Sequence, residues 1–147
     1  MNADLKWDLR FIELAKHVGS WSRDPSTKVG AVIARPDKTV ASVGFNGFPR
    51  GVEDSEERYT DKPLKYKFIC HAEANAILTA NERLHGYTLY STPLYPCHEC
   101  AKMIIQSGIA RVVTKPLDQG SWSDSNQIAR TIFEEAKVSV DILNDLV

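Results

Sequence analysis

Leu5, Leu9, Ile12 and the apolar positions within residues 15–18 recur at close to a helical period, and Gly19 follows as a stop, so the spacing predicts an amphipathic helix over residues 4–18. Its apolar stripe requires a sheet to lie on. Two runs rich in small and β-branched residues, 29–34 and 39–44, flank the polar turn Arg35-Pro36-Asp37-Lys38 and read as a β-hairpin. Residues 46–68 lose clear periodicity and are rich in Gly, Pro, Lys, Tyr and acidic residues. A structureless segment of that length in a compact domain reads as a functional loop, either a lid or an interface. From Glu73 onward helical and strand patterns alternate: helix to about residue 83, strand 88–91, helix 97–107, strand 111–114, helix 124–136 and strand 138–142. Gly86 and Gly108 stand where helices should end.

Strand–helix–strand repetition calls for right-handed crossovers and parallel neighbours, and the hairpin adds an antiparallel pair to the same sheet. The expected fold is α/β, a three-layer α/β/α sandwich around a mixed five-stranded sheet. A length of 147 residues with 43% hydrophobic and 25% charged side chains fits one domain, residues 1–147. The net charge of -1, with no Lys/Arg cluster, argues against nucleic acid or an acidic membrane as partner and favours a small molecule. No apolar run approaches a membrane span, and the N-terminus lacks the apolar core of a signal peptide, so a cytoplasmic location is expected.

The cysteines change the picture most. There are 3, a poor number for a disulfide framework, and two form Cys97-x-x-Cys100, which in a reducing compartment points to metal or redox chemistry. On the first turn of a helix their sulfurs can converge on one ion, with His71, at the start of another predicted helix, as a third ligand. Pro96 suits a helix beginning at Cys97. Three protein ligands leave a position open for water, as catalytic rather than structural zinc sites do. Glu73, two residues past His71, is placed to move protons there without binding the metal. A thioredoxin-like redox pair is the competing reading of the two cysteines, and the neighbouring His-Ala-Glu weighs against it. Cys70 as a fourth ligand would close the site; adjacent residues rarely aim at one ion, and it reads instead as a small buried hydrophobe at a strand end.

His71-x-Glu73 followed by Pro96-Cys97-x-x-Cys100 is the signature of the zinc nucleobase deaminases. With Ser22-Arg23-Asp24-Pro25, Lys28-Val29-Gly30, the loop Gly44-Phe45-Asn46-Gly47-Phe48-Pro49-Arg50-Gly51 and the run after Cys100 to Ile109, the chain resembles the deoxycytidylate deaminase family of the cytidine deaminase-like fold. The resemblance covers about residues 9–142. It implies zinc on His71, Cys97 and Cys100, one ion per chain, Glu73 as general acid/base, and hydrolysis of dCMP to dUMP and ammonia for thymidylate synthesis. It also implies substrate contacts from Asn46, from the backbone N–H of Ala72 to the base carbonyl, and from Arg23 to the phosphate, where a surface ion pair is the competing reading. Trp122 is the candidate to stack on the substrate in place of a tyrosine the family tends to carry in that loop. By the same resemblance the chain forms homo-oligomers, hexamers in the family, with dCTP and dTTP as candidate effectors, although Phe45 replaces the tyrosine common in the regulatory loop. Another cytosine nucleotide or nucleoside (dCTP, deoxycytidine), a tRNA adenosine, or a non-catalytic zinc module are the alternatives.

Overall fold

The computed structural model describes residues 3–115 and 124–144. The elements run α1 Ala3–Gly19, β1 Gly30–Ala34, β2 Val40–Phe45, α2 Glu56–Thr60, α3 Lys62–Phe68, α4 Ala72–Thr79, β3 Thr88–Thr92, α5 His98–Gln106, β4 Arg111–Thr114, α6 Asp124–Ala136 and β5 Ser139–Ile142. The strands form one five-stranded sheet in the order β2-β1-β3-β4-β5. β1 pairs antiparallel with both β2 and β3, whereas β3, β4 and β5 run parallel. That is the mixed sheet expected from a hairpin followed by β-α-β units.

Side-chain alternation along the central strands divides the core into two layers. Ala31, Ile33, Leu89 and Val112 face Ala76 of α4, Ala101 and Ile104 of α5, and Ala129 and Phe133 of α6. Val32, Ala34, Tyr90 and Val113 face Phe11, Ile12 and Ala15 of α1. A side chain as large as Ile104 or Phe133, fully buried, contributes about 1.5–3 kcal/mol. Two glycines let helices sit on the sheet at backbone distance. A Cβ on Gly30 would run into the carbonyl of Ala15 in α1, and one on Gly44 into the backbone of Ala72 and Ala76 in α4. α4 is therefore seated directly on β2, and its first residues are held at the C-terminal end of that strand.

The segment read as an irregular loop contains two short helices. Ser55 caps α2 through Arg58 N–H, and Asp61 caps α3 through Leu64 N–H at 3.2 Å, with a proline in the first turn. At five and seven residues they are too short to display a period. α4 is also shorter than the expected helix to residue 83, ending at Thr79. Beyond it Glu82 is drawn to Arg35 and Tyr87, whose side chains donate to it at 3.0 and 2.6 Å, and this holds the chain out of helical form. Among the described residues no helix is long and apolar enough to cross a membrane.

Candidate active site

Two helix N-termini converge at one point. His71 is the N-cap of α4 in extended conformation, and its side chain makes no capping bond, which leaves the imidazole available across the gap. Cys97 caps α5, its sulfur accepting from Cys100 N–H at 3.4 Å. Nδ1 of His71 lies 3.4 Å from Sγ of Cys97 and 3.4 Å from Sγ of Cys100. Among the described residues these three form the one group of His, Cys or acidic side chains with ligand atoms within 4.8 Å of one another. Cys100 is buried, Cys97 half-buried and His71 exposed, so the cluster is open on one side.

The electrostatics suit a cation. The hydrogen bond with Cys100 lowers Cys97 to about 4 against the opposing effect of burial, and His71 assists. Cys100 is pushed up by the neighbouring Cys97 and by burial, with the Ala74 N–H of α4 partly offsetting this. His71 is raised, chiefly by its hydrogen bond to Cys97. Metal ligands bind as thiolates and neutral imidazole, so a divalent ion would displace protons from these cysteines on binding. A tetrahedral zinc with Zn–S about 2.3 Å and Zn–N about 2.0–2.1 Å separates sulfur from nitrogen by about 3.5 Å, close to the spacing observed, so the residues fit the metal.

A cavity of about 190 Å³ adjoins the cluster. His71, Ala72, Glu73 and Cys97 line it together with Asp24, Thr27, Asn46, Lys65 and Tyr66. Glu73 is 4% exposed, and burial pushes its carboxyl up to about 6, so that it can take and return a proton near neutral pH. The N–H of Ala72, in the first turn of α4, has no intrahelical acceptor. Asn46 is buried and committed to the scaffold. Its Oδ1 accepts from Val29 N–H at 2.9 Å, and its Nδ2 donates to the Thr27 carbonyl at 3.0 Å and to Asp24 at 3.3 Å.

Of the residues singled out in the sequence, His71, Ala72, Glu73, Asn46 and Cys97 meet at the cavity, and Cys100 joins through the cluster behind it. Arg23 does not line the cavity; its side chain is 70% exposed and pairs with Asp54 at 3.4 Å. Trp122 lies outside the described residues. Cys70 is half-buried rather than buried, paired with Gly47 through two backbone hydrogen bonds of 2.7 and 3.1 Å, and stands apart from the cluster. Asn75 ties α4 to β2, donating to the Phe45 carbonyl at 2.8 Å. Sequence reasoning missed Lys65 and Tyr66, both on α3. The available signal was Asp61 two residues ahead of Pro63, a helix-start pattern that brings the following turn into the fold.

Residues 5–115 match the family model described as the cytidine and deoxycytidylate deaminase zinc-binding region. The chain belongs to this family. Zinc is accordingly its cofactor, and the His-Cys-Cys cluster is where the family's metal fits. Among its relatives in the family are a deaminase of the luxG 3' region in Aliivibrio fischeri, 44% identical and covering 92% of both chains. The human deoxycytidylate deaminase is 37% identical over 92% of this chain and 78% of its own. The structure of a dCMP deaminase from cyanophage S-TIM5, in complex with dCMP and dUMP, superposes with a TM-score of 0.76 over 97% of this chain and 99% of its own. At 24% identity that likeness establishes the shared fold.

Proposed function

We propose that this chain, as a single deaminase domain, hydrolyses dCMP to dUMP and ammonia. The observation that carries the reading is Glu73, buried two residues from His71 in the cavity that adjoins an open His-Cys-Cys cluster. A structural zinc site has no use for such a carboxylate. The preference for the deoxynucleotide is supported by the relatives, several of which, including the human protein, are deoxycytidylate deaminases.

His71, Cys97 and Cys100 would hold zinc, which when bound supplies the Lewis acidity that makes water a nucleophile at neutral pH. Glu73 accepts a proton from the attacking water and places it on N3 of the cytosine ring. It then takes the proton of the new C4 hydroxyl and delivers it to the amino group, so that the C4 carbonyl forms as the C4–N bond breaks, with one water consumed and one ammonia released. The Ala72 N–H donates to the base carbonyl and fixes the ring against Glu73. Asn46 shapes the opposite wall by holding the 24–29 loop to the end of β2.

The deciding experiment supplies the purified zinc protein with dCMP, dCTP, CMP and deoxycytidine and measures ammonia release. The reading expects the highest kcat/KM on dCMP; faster turnover of another substrate would reassign the specificity. The same assays with added dCTP or dTTP test them as effectors. A cytoplasmic location and a homo-oligomeric assembly complete the proposal, the assembly supported by Trp21, Phe45 and Leu78, large apolar side chains left exposed just past the end of α1, on β2 and on α4 beside it. Light scattering on a sizing column reads the assembly directly.

A further inference from the structure

We propose that Lys65 recognises the 5'-phosphate of the substrate and that Asp24 holds it in place for that task. This inference rests on the nucleotide reading above. Among the described residues that line the cavity, Lys65 is the one Lys or Arg. Glu73 and Asp24 line the same cavity, so a phosphorylated ligand entering it meets two carboxylic acids and needs a cation to offset them.

The Lys65 side chain is 8% exposed, and a buried ammonium is costly unless paired. Asp24, itself 1% exposed, provides the pairing at 2.8 Å. The two partners are not equally satisfied. Asp24 accepts three hydrogen bonds, from Ser26 N–H at 2.8 Å and Thr27 N–H at 3.4 Å on one oxygen and from Asn46 at 3.3 Å on the other, which also carries the ion pair to Lys65 at 2.8 Å. An ammonium has three N–H donors, and among the described residues the Lys65 ammonium has one oxygen partner, Asp24, with the Tyr66 ring 5.8 Å away as its other contact. The carboxylate is saturated while the ammonium keeps donor capacity at the cavity wall, the arrangement a phosphate oxygen requires. Arg23, the phosphate ligand suggested by resemblance, is instead directed to Asp54.

A residue that only pins α3 to the 24–29 loop would look similar in a static structure, so the test separates the two roles. Zinc-loaded wild type, Lys65→Met, Asp24→Asn and the double variant are titrated with dUMP and with deoxyuridine, with zinc content and melting temperature measured on each. The double variant removes both charges and carries the test if Lys65→Met, with Asp24 left unpaired, does not fold. The expected result is a loss of about 10- to 100-fold in dUMP affinity relative to deoxyuridine in every variant lacking Lys65, from removal of a charge-assisted hydrogen bond. Asp24→Asn, which keeps the ammonium but loosens its position, gives up part of the preference for dUMP, a smaller loss than in Lys65→Met. Equal losses for both ligands, or the same loss in Asp24→Asn as in Lys65→Met, would overturn the inference in favour of a structural pin. A wild type with no preference for the phosphorylated ligand would overturn the nucleotide reading itself, and the inference with it.

Discussion

Glu73 stands 4% exposed with its carboxyl pushed up to about 6 by burial, and replacing it with glutamine preserves its shape while removing its proton. Glu73→Gln is expected to bind zinc at about one per chain and to lose about 10²–10⁴-fold in kcat, read from ammonia release alongside metal analysis. Unchanged turnover would take proton transfer away from this residue. Cys100, at 1% exposure, has no solvent to replace a lost thiolate, so Cys100→Ser should leave zinc well below one per chain. Cys70→Ser should leave it near one, because Cys70 is half-buried on the Gly47 bridge and outside the cluster. The grouping of His71, Glu73, Cys97 and Cys100 was legible along the chain because these residues sit at short spacings on helix starts. Arg23 was not, since whether a charged loop residue faces a cavity or a neighbouring carboxylate depends on what folds opposite it.

At the level of elements, α4 carries His71 and Glu73 into position, and its seat is the bare backbone of Gly44. Gly44→Ala pushes α4 off β2. The expected cost is about 1–3 kcal/mol of stability together with a fall in kcat, measured by thermal melting and turnover of the same sample. A loss of stability with kcat intact would show that the cluster tolerates displacement of its helix. The long amphipathic helices and the parallel strands were readable because each spans enough residues to show its period. α2 and α3 were not: one or two turns give no period, and their caps, Ser55 and Asp61, are residues equally common in turns.

Across the whole molecule, Asp8 ties α1 to three strands of the sheet. It accepts from Tyr90 of β3 at 2.7 Å and from Arg111 of β4 at 2.9 and 2.6 Å, and Arg111 donates onward to Asp141 of β5 at 2.8 Å. Burial alone would raise the Asp8 carboxyl, but the Arg111 and Tyr90 hydrogen bonds outweigh it and hold the group below its ordinary value of 3.8. Because the folded value is the lower one, ionised Asp8 stabilises the protein above pH 3.8, and that contribution disappears as pH falls through the folded value. Asp8→Asn should therefore cost about 1–3 kcal/mol at pH 7, with the gap to the parent narrowing in acid below the ordinary value, as read from melting temperature against pH. A constant gap at all pH values would mean that packing, not charge, is what the substitution removes.

The sequence by itself determined the α/β class, the mixed sheet, and the His71, Glu73, Cys97 and Cys100 set, because period, crossover handedness and ligand spacing are local properties of the chain. Only the tertiary structure decided what surrounds that set. Asp24, Asn46 and Lys65 come from three separate stretches and meet through a buried ion pair and its hydrogen bonds. A buried charge chooses its partner by the desolvation it must offset, and that choice exists only once the chain has closed around it.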